Sequence, residues 1–306
     1  MIYNIGDSTA LLQHFWRSIC AKGAGILSIC LLWFCTSSFT PATINDDPLL
    51  TYSRCLVPIQ IEQSTGHRSF GTGFLVKKYG LKDTMHYLVT ARHVIWDYTA
   101  NQPATRVSLV LVDTSGNSGW KDYPLQSDSL HQYLFLNPDS TVDAAVVRLD
   151  VDARKLANRF LDAGEILKGA YLKKLLHVAK PDTDYSFYVG YQVDSLLQNR
   201  LYPQMGRGPL PLFVPPKPGD SRTDSSLITQ LKLAKGNSGS PVFIVLNQPR
   251  FRLPNGKPAV VLAGIVSAVL PRKTLKNGRP HSDAEEYTLK PTRLVPASGL
   301  AALIPD

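Results

Sequence analysis

Lys235-Gly236-Asn237-Ser238-Gly239-Ser240-Pro241-Val242-Phe243 places a serine between two glycines, just ahead of the apolar run Val242 to Leu246. A serine hydroxyl is a weak nucleophile unless a base takes its proton and backbone amides receive the developing oxyanion. Gly236 suits that second task. Lacking a Cβ, it can turn its own amide and that of Ser238 toward one point and let a carbonyl come close. Pro241 ends the turn, and the apolar run after it reads as a buried strand. Taken alone, the same residues also read as a plain glycine-serine hairpin loop, so the rest of the chain decides.

Two other stretches supply partners. Tyr87-Leu88-Val89-Thr90-Ala91-Arg92-His93-Val94 is a strand running into a turn that carries a histidine, and Asp143-Ala144-Ala145-Val146-Val147-Arg148-Leu149 is an aspartate opening an apolar strand. The chain order is His, Asp, Ser. An α/β-hydrolase would use Ser, Asp, His with a G-x-S-x-G elbow, and Ser240 stands where the last glycine of that elbow belongs. The subtilisin order, with Asp before His, does not fit either.

With these residues in place, the sequence resembles the chymotrypsin-fold (trypsin-like) serine proteases, over roughly residues 51 to 304. The matching pieces are G-T-G-F-L-V from Gly71, V-T-A-R-H-V from Val89, D-A-A-V-V-R-L from Asp143, G-N-S-G-S-P-V from Gly236 and G-I-V-S from Gly264. The resemblance implies an all-β fold of two packed six-stranded Greek-key β-barrels. It implies a catalytic triad of His93, Asp143 and Ser238, with the amides of Gly236 and Ser238 as the oxyanion hole. Asp139 and Asp150 are the nearest competitors of Asp143.

The first forty residues differ from the rest. Only Asp7, Arg17 and Lys22 are charged there, and Gly23 to Phe34 is an apolar run of about a dozen residues, shorter than the roughly 18 that span a bilayer. It reads as a signal-peptide core. Two other readings are an uncleaved membrane anchor and lipid attachment at Cys35. Cys20, Cys30 and Cys35 lie in this leader, so Cys55 is the only cysteine beyond it and no disulfide is expected within the folded region. The chain also lacks an N-x-S/T glycosylation acceptor. Both features point to a bacterial protein resembling the disulfide-free high-temperature-requirement proteases, exported to the periplasm or the exterior.

Along the remaining chain, residues 49–150 are expected to form the N-terminal barrel. Arg106 to Val112 alternates with apolar Val107, Leu109 and Leu111, and turn signals separate short strands. Residues 151–183 read as a helical linker between the barrels, with Leu156, Phe160, Ile166, Tyr171, Leu172, Leu175 and Leu176 on one face. Residues 184–306 are expected to form the second barrel. Within it Pro203 to Pro218, dense in proline and glycine, reads as a long surface loop, and a short closing helix has Ser298 as its N-cap.

The resemblance implies hydrolysis of peptide bonds in a protein or peptide substrate. An inactive barrel pair that only binds proteins, and an esterase with the same triad, stay open. Ser267, Ala268 and Val269 correspond to the strand that pairs with substrate. Lys232 stands six positions before Ser238, where trypsin-like enzymes carry the aspartate that receives Lys or Arg. The expectation is cleavage after a small or medium apolar residue, or after an acidic one if Lys232 points inward. Asn237 replaces the aspartate that pairs with a freed N-terminus, so activation of that kind is not expected. The net charge is +9, and Arg272, Lys273, Lys276, Arg279 and His281 cluster in one stretch. Without interleaved aromatics this reads as a solvated basic turn, and no nucleic-acid partner is expected. Neither C-x-x-C nor H-E-x-x-H occurs, so no metal and no cofactor is expected.

Overall fold

The computed structural model describes residues 48–81, 83–126, 132–166, 169–193, 202–214, 226–269 and 292–305. The leader and the basic cluster lie outside these residues. A short helix, α1 (Pro48–Ser53), precedes ten strands: β1 (Leu56–Glu62), β2 (Arg68–Tyr79), β3 (Thr84–Thr90), β4 (Trp96–Asp97), β5 (Gln102–Pro103), β6 (Arg106–Val112), β7 (Ser118–Pro124), β8 (Leu134–Leu136), β9 (Ala145–Leu149) and β10 (Leu161–Asp162). The first sheet has the order β7-β6-β1-β2-β3-β9-β8, with β10 added in parallel to β2 and β4-β5 a separate two-residue pair. Its main strands number six, as expected, and the additions are two or three residues long. In β6 Val107, Leu109 and Leu111 are buried as expected, and Val110 on the other face is buried too, so the alternation holds only in the first half of the strand.

The second sheet follows helix α2 (Gly169–Val178). Its strands are β11 (Tyr185–Gly190), β12 (Gln204–Gly208), β13 (Leu212–Val214), β14 (Ser226–Thr229), β15 (Pro241–Leu246), β16 (Ala259–Val269) and β17 (Thr292–Pro296), in the order β12-β11-β15-β16-β17-β14-β13. Six of them again form the main sheet, with three-residue β13 at its edge. Helix α3 (Ala297–Ala301) closes the chain.

Period-two geometry explains how two curled sheets share one interior. β15 is buried at every position. Phe243 and Val245 point into the core that continues from the first barrel, where Phe187, Val189 and Ile265 join them. Val242, Ile244 and Leu246 point the other way, into the second barrel's own core with Tyr188, Leu227 and Val266. A strand covered on both faces needs an unbroken apolar run, which is what V-F-I-V-L supplies. Phe243 stacks on Phe187 at 5.2 Å and meets Tyr52 of α1 at 4.4 Å. Truncating such a ring typically costs about 3–5 kcal/mol.

Three expectations are corrected. Among the described residues of 151–183, α2 is the one α-helix. Ala153–Lys155 and Ala163–Glu165 are single 3-10 turns, each opened by an aspartate side chain, Asp152 or Asp162, that accepts from a backbone N–H. Asn158 Oδ1 likewise accepts from Val112 N at 2.7 Å, tying the chain to the first barrel. Such side chains offer the backbone an alternative to helix. Leu156, Phe160 and Ile166 therefore pack on the first core one at a time, Leu172 joins the second, and Tyr171 is exposed.

The supposed loop from 203 contains β12, which pairs with β11 along five residues. Glycine is used there because the Tyr188 ring lies on it: a Cβ at Gly206 would come within 2.2 Å of that ring. Finally, α3 begins at Ala297 with Pro296 as its cap, and Ser298 lies inside the helix, its carbonyl accepting from Ala302 N.

Candidate active site

The turn carrying His93 is a 3-10 helix, Arg92–Ile95, anchored from below by buried Val94 and Ile95. On the outside the Arg92 guanidinium lies 4.5 Å from the Trp96 ring centroid, a contact of roughly 0.5–1 kcal/mol. Both ends being held, the imidazole projects toward Asp143. Nδ1 of His93 and Oδ2 of Asp143 are 2.7 Å apart, and His93 N donates to Oδ1 at 2.9 Å. Ser267 Oγ donates to the same Oδ2 at 2.7 Å. Burial alone would raise the Asp143 carboxyl. The hydrogen bond and charge of His93, with the backbone and Ser267 donors, outweigh it and hold the group below the usual aspartate range.

Ser267 was expected to wall the substrate pocket. It does line the cleft, but its hydroxyl is committed to Asp143. The reason is a bulge: the β16–β17 register shifts between Val266 and Ala268, leaving Ser267 as the extra residue and re-aiming its side chain. Beyond that point Ala268 and Val269 continue the strand, paired with Arg293 and Thr292 of β17. On the other side of β16, pairing with β15 ends at Ile265, followed by reciprocal bonds between Val266 and residues 239–240. Among the described residues no second strand pairs with β16 at 267–269, and Ser267 of this stretch lines the cleft.

The loop bearing Ser238 is held from three directions. Asn237 is buried, accepts from Ala234 N at 2.7 Å and donates Nδ2 to Tyr191 O at 3.1 Å. The position that could have taken an ammonium partner is therefore satisfied within the fold. Lys235 O accepts from Val193 N at 2.9 Å. Because the peptide is trans and planar, this turns the Gly236 N–H away from Val193. Gly236 has φ +97°, and a Cβ there would meet Tyr191 O and Val193 N at 2.7 Å, so only glycine fits. Asn237 N, Gly239 N and Ser240 N all donate to backbone carbonyls. Gly236 N and Ser238 N donate to no acceptor among the described residues.

His93, Asp143, Gly236, Ser238 and Ser267 line one cleft of about 740 Å³. Its other walls are Arg68, Ser69 and Phe70 of β2, Val94, Tyr98, Lys235, and the apolar group Val193, Leu233, Ala234 and Val266. Tyr98 is 64% exposed and is set in place by its N–H to Gln63 Oε1 at 3.1 Å. Burial, and then the Asp143 charge, raise its phenol above the ordinary range. No hydrogen bond within 3.5 Å joins His93 to the Ser238 hydroxyl in this structure. Such bonds are often long in ligand-free sites and tighten when substrate binds.

Lys232, expected in the substrate pocket, lies outside it. It is exposed and does not line the cleft, whereas Leu231 and Leu233 on either side are buried. Alternation along an extended segment sends neighbours to opposite faces, so two buried leucines direct the lysine to solvent. Leu233 takes the inward place. Among the described residues no three His, Cys, Asp or Glu side chains gather as a metal site.

Two curled antiparallel barrels, with a His-Asp pair on one and a serine beneath two open amides on the other, define the chymotrypsin-like serine protease fold. The chain is similar to the Rv3671c protease of M. tuberculosis in its active form, at 15% identity and a TM-score of 0.44 over 86% of this chain and 85% of that one. It is also similar to the thermostable serine protease AL20 from an extremophilic microorganism, at 13% identity and a TM-score of 0.48 over 83% and 96%. A third solved structure is the HtrA-type protease AlgW with a tripeptide, at 14% identity and a TM-score of 0.45 over 83% of this chain, which spans 60% of AlgW. No protein-family model and no curated protein sequence matches the chain. What fixes the fold is the sheet order described above.

Proposed function

We propose that the chain is a serine endopeptidase exported from a bacterial cell, with residues 1–40 as a signal peptide or membrane anchor. The observation that carries this reading is the His93–Asp143 pair, joined at 2.7 Å on the wall of the cleft that Gly236 and Ser238 also line. Asp143 keeps the imidazole proton on Nδ1, so Nε2 presents a lone pair. Ser238 Oγ attacks the peptide carbonyl carbon as its proton passes to Nε2, and the oxyanion sits against the N–H groups of Gly236 and Ser238. His93 then returns the proton to the leaving amine. Water enters by the same route and splits the acyl-serine ester.

Substrate adds as a strand along the 267–269 edge, with main-chain bonds giving affinity and a side-chain pocket giving choice. Val193, Leu233, Ala234 and Val266 give the cleft an apolar wall, Arg68 and Lys235 line it elsewhere, and Lys232 is outside it. Profiling with a peptide library is expected to show cleavage after small or medium apolar residues, with the same profile for Lys232→Ala. Efficient cleavage after Arg would contradict the pocket assignment. Turnover of esters with no peptide cleaved would favour an esterase.

The missing His93–Ser238 hydrogen bond is the one feature that favours a binding-only barrel pair. Covalent reaction of the serine with a fluorophosphonate separates the two readings, since only an activated hydroxyl reacts.

A further inference from the structure

Thr72 lies in the first barrel, on β2, and is fully buried against the serine loop of the second. Its N–H donates to Ser238 O at 2.9 Å. Its hydroxyl donates to Gly236 O at 2.8 Å and accepts from Tyr191 N at 2.9 Å. Its carbonyl accepts from Thr90 Oγ1 at 2.8 Å, so the residue is itself fixed to β3. Every polar atom of one side chain and its backbone is thus engaged, and three of the four bonds cross from one barrel to the other.

What these bonds hold is specific. The two amides open to the cleft belong to Gly236 and Ser238, and Thr72 binds the carbonyls of the same two residues. Gly236 is one of two glycines with positive φ in this loop, at +97° beside Gly239 at +82°. The peptide before it is pinned through Lys235 O by Val193, and the peptide after it through Gly236 O by Thr72. With both flanking peptides fixed, the Gly236 N–H has one direction. The hydroxyl also ties Tyr191, whose carbonyl holds Asn237, to the same point.

We infer that Thr72 is a positioning residue for the oxyanion hole: its hydroxyl, reaching across the seam between the barrels, sets the direction of the Gly236 amide. It touches no substrate and acts through Gly236. The inference rests on the endopeptidase reading for its kinetic consequence, but not for its structural one. Removing the hydroxyl frees a hinge without removing any donor to the oxyanion. The effect therefore falls on the transition state, where the oxyanion exists, rather than on substrate binding.

The test compares Thr72→Val, which keeps shape and loses the hydroxyl, with Thr72→Ser, which keeps the hydroxyl. On a peptide substrate Thr72→Val is expected to lower kcat by ~10² with KM nearly unchanged, while Thr72→Ser stays within ~3-fold of the parent. In parallel, the Gly236 amide NMR resonance is expected to shift and broaden in Thr72→Val and to return in Thr72→Ser. Equal losses in both variants, a rise in KM alone, or an unmoved Gly236 resonance in Thr72→Val would overturn the inference. If the parent protein neither cleaves peptides nor reacts with fluorophosphonate, the endopeptidase reading fails, and the Gly236 resonance still decides the role of Thr72.

Discussion

Ser238→Ala is expected to lower peptide turnover by on the order of 10^6 while leaving the fold intact. The hydroxyl makes no hydrogen bond with any described residue in the structure, so its removal breaks nothing that holds the barrels together. The structural duties of residue 238 belong to its backbone: the carbonyl accepts from Thr72 N at 2.9 Å, which an alanine preserves. The side chain is only half-buried, so the lost oxygen leaves no core cavity. A change in melting temperature of less than a few degrees, beside loss of turnover, is the expected pattern. Parallel loss of stability and activity would assign the serine to the scaffold instead.

Asp143→Asn is expected to lower kcat by about 10^4, because an amide in place of the carboxylate favours the wrong imidazole tautomer. Oδ2 now accepts from His93 Nδ1 and from Ser267 Oγ, each at 2.7 Å. An asparagine NH2 turned toward Nδ1 must find a lone pair there, which moves the proton to Nε2 and leaves no base for Ser238. The same substitution changes the acid profile of stability. The folded Asp143 carboxyl titrates below its unfolded value of about 3.9, so the carboxylate stabilises the fold above that value. That contribution is lost as pH falls through the lower, folded value. Acid unfolding of Asp143→Asn should therefore be less steep below about pH 4. An Asn variant with full activity, or an unchanged acid limb, would count against the pairing.

Much of this arrangement is legible in the sequence because each site residue sits at a strand end next to an apolar run. Ser238 precedes β15, Asp143 precedes β9 and His93 follows β3. The order of those three stretches carried the fold. The readings that failed did so where local pattern and tertiary contact disagree. Leu156, Phe160 and Ile166 fall roughly on one helical face, yet the Asp152 and Asp162 caps make single turns and Asn158 ties the chain to β6, so each apolar residue lies separately on the first barrel. Gly206 and Gly208 suggest a loop, yet glycine is what a strand under the Tyr188 ring requires. Counting back from Ser238 put Lys232 in the pocket, whereas the buried leucines beside it turn it outward. Ser267 does line the cleft, and what its position in the sequence does not show is the bulge that gives its hydroxyl to Asp143. No local pattern marks Thr72, because its hydroxyl partners lie 119 and 164 residues away.

The most direct test of a serine activated by His93 and Asp143 is peptide mapping by mass spectrometry after reaction with a fluorophosphonate. The expected result is one adduct, on Ser238, that disappears in His93→Ala. An unmodified Ser238, or equal modification with and without His93, would contradict it.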